Sequence, residues 1–114
     1  MATVHDVRAV AATLPRSTEH LVRDRVTFRV KQIVYAKLSR DETLMGLGFP
    51  KAERADLVAS DDRFLLPPES DLRFNWVVCK LPLIGTDELE EWVCDAWALC
   101  VPKFLVRERL LRSE

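Results

Sequence analysis

The chain has 114 residues, of which 48% are hydrophobic and 31% are charged, and its formal net charge at neutral pH is −1. This composition excludes an intrinsically disordered chain, and a domain of this length buries enough apolar surface to need neither a disulfide nor a metal for stability. A net charge near zero also excludes a general attraction to nucleic acid or to anionic membranes.

The N-terminal residues and the cysteines indicate a soluble cytoplasmic protein without a membrane partner. Residues 1–6 lack the basic start and the apolar run of a secretory signal, and no apolar stretch approaches the ~18 residues of a membrane span. The three cysteines, Cys79, Cys94 and Cys100, show no Cys-x-x-Cys spacing. An odd number of cysteines suits a reducing compartment, and we expect free thiols that are buried or partly buried.

The first third of the chain predicts a helix followed by a β-hairpin. Apolar residues repeat at helical spacing over residues 3–14, and Pro15 ends this helix. Residues 26–31 alternate between apolar and polar side chains, and so do residues 33–38, which is typical of half-buried strands. Only a tight turn near Lys31 and Gln32 fits between them, so the two strands form a hairpin.

The rest of the chain predicts further strands and helices. Residues 43–49 form a third strand, in which Gly46 and Gly48 favour a bulge over an anion-binding loop. There follow a helix over residues 50–60, a brief strand over 64–66, a strand over 73–81, a long helix capped by Thr86, and a last helical segment over 104–111. These elements predict an α+β fold in which an antiparallel sheet packs against helices.

Three groups of residues, in this order and at these spacings, resemble the MmcQ/YjbR family. They are Leu14-Pro15 followed by Glu19, Phe28-Arg29-Val30 with Tyr35-Ala36-Lys37-Leu38, and Asn75-Trp76-Val77-Val78 leading into Asp87-Glu88-Leu89. The resemblance covers nearly the whole chain and implies one YjbR-like domain over residues 1–114, with the double-wing-like α+β arrangement of that family. Members are often labelled DNA-binding because of their fold, so the resemblance implies DNA as a partner.

The charges are unevenly placed along the chain. Residues 16–40 carry seven basic and two acidic residues, a local net charge of +5, whereas residues 41–114 carry −6. Strand alternation points basic side chains outward from the predicted hairpin, where guanidinium forks can bridge phosphate oxygens and an aromatic ring can stack on a base. The candidate nucleic-acid-binding residues are Arg25, Arg29, Lys31, Tyr35, Lys37 and Arg40.

Two alternatives remain open for this surface. A row of outward basic residues is also typical of a solvated sheet face, here partly paired with Glu19 and Asp24. Apolar residues left exposed on the sheet, Ile33 and Tyr35, would instead favour a protein-interaction or small-ligand domain.

Two roles are open for the three tryptophans: packing in the core or lining a ligand-binding site. Trp76, Trp92 and Trp97 would line a pocket in a small-ligand domain. Trp92 and Trp97 share one helical stripe with Leu89 and Val93, which favours core packing, and we expect Trp76 to anchor the core from its strand.

The sequence contains no recognisable catalytic or cofactor motif. His5 and His20 lie in different segments without the partners of a catalytic triad or the further ligands of a metal site. Residues 46–51 match neither a Walker loop nor a dinucleotide fingerprint. We therefore expect a monomeric binding domain that is not an enzyme, needs no metal or cofactor, and binds DNA or a protein partner.

Overall fold

The computed structural model describes residues 1–113, and the side chains of residues 1–109. These described residues form six strands, four α-helices and two short 3-10 turns. In chain order they are α1 (Val4–Ala11), β1 (Ser17–Val22), β2 (Arg25–Val30), β3 (Ile33–Leu38), β4 (Leu44–Gly48), α2 (Lys51–Ser60), β5 (Phe64–Leu65), a 3-10 turn (Glu69–Asp71), β6 (Trp76–Lys80), a second 3-10 turn (Leu81–Leu83), α3 (Thr86–Ala98) and α4 (Lys103–Ser113).

All six strands belong to one antiparallel sheet with the order β1-β2-β3-β4-β6-β5. Helices α1 and α3 pack against each other, and α3 also packs against β3 and β4. The core lies between this helical layer and the sheet, where Phe28, Leu47 and Trp97 are fully buried. The predicted α+β fold with an antiparallel sheet against helices is confirmed.

Strand β1 was not predicted from the sequence. Its six side chains are all exposed or half-buried, so the strand carries no buried apolar face to produce a clear alternation. It pairs with β2 through a two-residue turn in which Arg23 and Asp24 have φ of 51° and 66°. A turn with two residues of positive φ is usually recognised in a sequence by Asn or Gly at these positions. The turn between β1 and β2 contains neither residue type.

A β-bulge between β2 and β3 reverses one predicted side-chain direction. Phe28 pairs with Ala36 and Arg29 pairs with Val34, so Tyr35 is an extra residue on β3. Tyr35 and Ala36 are both fully buried, and the Tyr35 hydroxyl forms a hydrogen bond with the Ser17 hydroxyl. The prediction that Tyr35 lies on the outer basic face is therefore wrong.

The bulge predicted at Gly46 and Gly48 is absent, because β4 pairs in regular register with both of its neighbours. The expected cap of α3 is also displaced by one residue. Gly85 occupies the cap position in an extended conformation, and Thr86 is the first helical residue. Glycine is tolerated at this position since its small size leaves the first N–H groups open to water.

The cysteines and two of the tryptophans behave as predicted. Cys79 is buried and burial raises the pKa of its thiol to about 12, while Cys94 and Cys100 are half-buried free thiols. Trp97 is buried and its Nε1 donates to the carbonyl of Pro15 at 2.9 Å. Trp92 is half-buried, with its ring 4.7 Å from that of Phe64.

No helix within residues 1–113 is both long enough and apolar enough to cross a membrane. The same residues hold no group of three or more His, Cys, Asp or Glu arranged to bind a metal ion.

Candidate functional site

One face of the sheet brings together side chains from four strands. Thr27 of β2 pairs with Lys37 of β3, which pairs with Gly46 of β4, which in turn pairs with Val78 of β6. Residues that pair directly across strands project from the same face, and so do residues two apart along a strand. This outer face therefore also carries Arg25 and Arg29 beside Thr27, and Trp76 beside Val78.

Two adjoining cavities form a groove that runs along this face and reaches Leu99, the residue after α3; we call it the outer groove. Their volumes are about 440 and 430 Å³, and both are lined by Lys37, Asp71 and Trp76. Because these three residues are shared, the two cavities are halves of one groove. The first half is also lined by Ile33, Val34, Phe74 and Leu99, and the second by Arg25, Leu44, Leu66 and Val78.

The indole of Trp76 stands at the boundary between the two halves. A β-carbon built on Gly46 would lie 2.5 Å from Nε1, 2.6 Å from Cζ2 and 2.7 Å from Cε2 of this indole. These three atoms lie along one edge of the indole. The ring therefore contacts Gly46 through this edge and not through one of its faces. Trp76 is half-buried and lines both cavities, so part of this side chain faces the groove.

Trp76 was expected in the core, yet it lines the groove. The sequence pattern of its strand does not distinguish a core position from a position on the outer face. Phe74, Trp76 and Val78 were expected on one face of a strand over residues 73–81. Strand β6 begins only at Trp76, so Trp76 and Val78 share a strand face while Phe74 lies in the bend before the strand. That face is the outer one, because the intervening Val77 and Cys79 are the fully buried residues. An apolar stripe on a strand does not by itself identify the side of the sheet that the helices cover.

The wall of the groove is held by a buried arginine that the sequence analysis did not single out. The guanidinium of Arg54 on α2 donates to the carbonyls of Leu72 at 2.8 Å, Phe74 at 3.1 Å and Trp76 at 3.0 Å. The Asn75 side-chain carbonyl accepts from the backbone N–H of Lys51 at 3.0 Å, at the start of α2. Residues 72–76 are thus fixed to α2, and no local sequence signal marks this role.

Within residues 1–109, no carboxylate forms an ion pair with the basic side chains of the outer face. Ion pairs within the described residues join Arg8 to Glu19, Arg63 to Asp61 and to Glu88, and Arg109 to Glu90. Glu19, considered as a partner for the basic face, instead contacts Arg8 of α1 at 2.8 Å. Arg29 donates to Nδ1 of His20 at 3.2 Å.

The six candidate residues from the sequence do not form a single surface. Arg25, Arg29 and Lys37 share the outer face, and Arg25 and Lys37 line the groove. Lys31 is exposed in the β2–β3 turn with φ of 55°, and Arg40 is exposed in the loop after β3. Tyr35 has no exposed surface, so its ring is unable to stack on a base. Ile33 is exposed, as expected, with 54% of its surface accessible.

Comparison with known proteins identifies a similar fold. The crystal structure of Deinococcus radiodurans protein DR2400, which has a DUF419 domain, superposes with a TM-score of 0.69 and 22% sequence identity, over 87% of this chain and 78% of that chain. No protein-family model and no curated protein sequence matches the chain. At this identity the likeness shows a shared fold, and the function has to be argued from the groove.

Proposed function

We propose that this domain binds single-stranded nucleic acid in the outer groove. One observation carries the proposal: Trp76 stands between two cavities whose common wall includes Lys37 and whose second half includes Arg25. Aromatic platforms flanked by basic side chains are the usual means of binding single strands, because bases stack on the ring while the cations neutralise phosphates. The sequence suggested Tyr35 as the aromatic residue on which a base stacks. We propose that Trp76 has this role.

The dimensions of the groove favour a strand over a duplex. Each half holds about 430 to 440 Å³, which is within the range of a site for a small planar group. Bases are free to enter such cavities only when they are unpaired. Phe74, which is 50% exposed and lines the first half, adds a second aromatic surface near Trp76.

We also infer that the chain belongs to the MmcQ/YjbR family. The supporting observations are the order of its elements, the residue groups that resemble the family, and the fold shared with a DUF419 protein, since DUF419 is related to that family. We infer a cytoplasmic location from the three free cysteines. The proposed role is binding without catalysis, and the described lining residues include no histidine beside Ser39 or Cys100.

The apolar lining favours a second candidate, a small-ligand site. Apolar surface of the second half comes from Leu44, Leu65, Leu66 and Val78, and its few polar side chains are Arg25, Lys37, Ser39 and Asp71. Sites for small molecules have this composition. Such a ligand would be a planar anion, and it would compete with a nucleic-acid strand for Trp76.

The proposal is tested by fluorescence anisotropy of labelled single-stranded and duplex DNA of mixed sequence at about 50 and 200 mM salt. We expect micromolar or tighter binding of the single strand, with a steep loss of affinity at the higher salt because counterions are released from phosphates. Trp76→Leu keeps apolar bulk but removes the stacking surface, and it should weaken binding by about 10- to 100-fold.

A charge control separates the groove from general attraction. Arg25→Glu and Lys37→Glu should each reduce affinity strongly. Arg107→Glu makes the same charge change on exposed α4, whose described residues line neither half of the groove, and it should have little effect. Absence of binding at 50 mM salt, or equal losses in all three variants, would contradict the proposal.

A further inference from the structure

We infer that the outer groove selects guanine, and that Asp71 is the residue that reads it. The inference rests on the proposed function, because it concerns the base that stacks against Trp76. Asp71 lines both halves of the groove together with Trp76 and Lys37. Its carboxylate forms no hydrogen bond or ion pair with any other described residue, so both oxygens remain available to a ligand.

The backbone of Asp71 is fixed although its side chain is unpaired. Its N–H donates to the carbonyl of Pro68 at 2.8 Å, and its own carbonyl accepts from the N–H of Phe74 at 3.0 Å. It ends the 3-10 turn Glu69–Asp71 and is half-buried. The carboxylate is therefore presented from a defined point on the wall that Arg54 attaches to α2 through Leu72, Phe74 and Trp76.

A carboxylate in this place has a chemical consequence for the ligand. An ionised carboxylate accepts hydrogen bonds and donates none, and it repels phosphate. In a groove whose cations attract phosphates, Asp71 is therefore suited to a part of the ligand that donates hydrogen bonds. When a base stacks on Trp76, the part that reaches beyond the ring is the edge of the base.

Among the natural bases guanine fits this acceptor best. Its Watson–Crick edge offers two adjacent donors, N1–H and the N2 amino group, which match the two oxygens of a carboxylate as the arginine fork does. Adenine and cytosine each offer one amino group beside an acceptor nitrogen. Thymine and uracil offer a single N–H between two carbonyls that face the carboxylate unfavourably. A good bidentate contact discriminates between bases by roughly 5- to 100-fold in affinity.

A carboxylate that accepts from the guanine edge would recognise guanine in a strand as well as in a free nucleotide. The experiment therefore tests strands and free nucleotides separately. In the first arm, labelled nine-residue thymidine oligonucleotides carry guanine, adenine, cytosine, thymine, inosine or 7-deazaguanine at the central position. We expect guanine to bind about 5- to 100-fold more tightly than thymine, inosine to fall in between since it lacks the N2 amino group, and 7-deazaguanine to bind like guanine. In the second arm, GMP, AMP, CMP and UMP are titrated by calorimetry.

The decisive variant is Asp71→Asn, which presents one acceptor and one donor in place of two acceptors. It should remove the guanine preference while leaving the all-thymidine strand bound as tightly as before or more tightly, since a negative charge is lost. Glu69→Gln is the matched control. It makes the same charge change two residues away on the same turn, lines neither half of the groove, and should keep the preference.

Together the possible outcomes distinguish failure of the inference from failure of the proposed function. A guanine preference in strands that Asp71→Asn removes supports both. GMP binding that depends on Asp71, without binding of any strand, supports the inference with a free nucleotide as the ligand and overturns the proposed function. Strand binding without a base preference, or with one that survives Asp71→Asn, overturns the inference alone. Failure of every strand and nucleotide to bind overturns both.

Discussion

The indole of Trp76 abuts Gly46 edge-on, and a β-carbon at residue 46 would stand 2.5 Å from its Nε1. This contact explains a glycine in the middle of a regular strand, where glycine otherwise costs stability. Any side chain at this position would occupy the space of the ring. The outer groove therefore depends on a pair of residues 30 positions apart in the sequence.

Gly46→Ala should displace the indole and reduce ligand binding while the fold remains intact. The atoms met by the new β-carbon lie at the end of a side chain, so the ring can swing away at a stability cost of about 1 kcal/mol. The displacement is measured as a shift of the Trp76 indole N–H resonance, assigned with Trp76→Phe. Gly85→Ala is the control, because its β-carbon would meet the carboxylate of Glu88 at an ordinary 3.8 Å and Gly85 lines neither half of the groove. Equal shifts in both variants would contradict the proposed contact.

Arg54→Lys should lower the free energy of unfolding by about 2 to 4 kcal/mol, because a lysine keeps the charge but does not reach all three carbonyls of residues 72–76. Urea denaturation measures the loss, and faster amide exchange in residues 72–76 would localise it. Lys51→Met removes a donor to the carbonyl of Arg73 from the same helix, but on an exposed side chain. It should cost less than about 0.5 kcal/mol. A similar loss in both variants would argue against Arg54 as the anchor.

The ion pairs of Arg63 should make stability fall in acid. Hydrogen bonds from Arg63 hold the pKa values of Asp61 and Glu88 below their ordinary values. A carboxylate with a depressed folded-state pKa stabilises the fold above its unfolded pKa, and this contribution is lost as the pH falls through the folded-state pKa. The loss therefore occurs below about pH 5, and most of it below pH 4.

The test compares urea midpoints of the wild type and Arg63→Met between about pH 7 and pH 2. We expect the variant to be less stable at neutral pH and the difference to shrink as both carboxyls become protonated. Arg107→Met removes a positive charge from exposed α4, where Arg107 forms no ion pair with any carboxylate of residues 1–109, and its difference from the wild type should stay small throughout. A difference for Arg63→Met that is constant with pH would show that packing, not charge, explains its effect.

The turn between β1 and β2 offers a stabilising change. Arg23 and Asp24 both adopt positive φ, which costs a residue with a side chain roughly 1 kcal/mol relative to glycine. The double substitution Arg23→Asn with Asp24→Gly supplies the residue types that this turn favours. It should raise the free energy of unfolding by about 1 kcal/mol, measured in urea. Asp62→Gly, in a loop residue without positive φ, should bring no gain. A double variant that is less stable than the wild type would contradict the expected turn geometry.

The helices and the hairpin were predictable from the sequence because their signals are local. Helix α1 and strands β2, β3 and β4 begin and end within a few residues of the predicted positions, since apolar spacing reflects contact with one continuous core. Strand β1 escaped prediction because it has no buried face. The bulge at Tyr35 was not predicted because it depends on how β2 pairs with β3. The extra residue on β3 places the Tyr35 ring in the core, whereas regular alternation would have placed it on the outer face.

The sequence by itself determined the class of fold, the unpaired state of the cysteines and the outward direction of Arg25, Arg29 and Lys37, since each follows from composition or from alternation along a single strand. Only the tertiary structure decided that Trp76 lies in the outer groove and not in the core. That outcome depends on the packing of Trp76 against Gly46 and on the attachment of its segment to Arg54. Contacts between residues distant in sequence are set by the folded chain as a whole, so no local pattern reveals them.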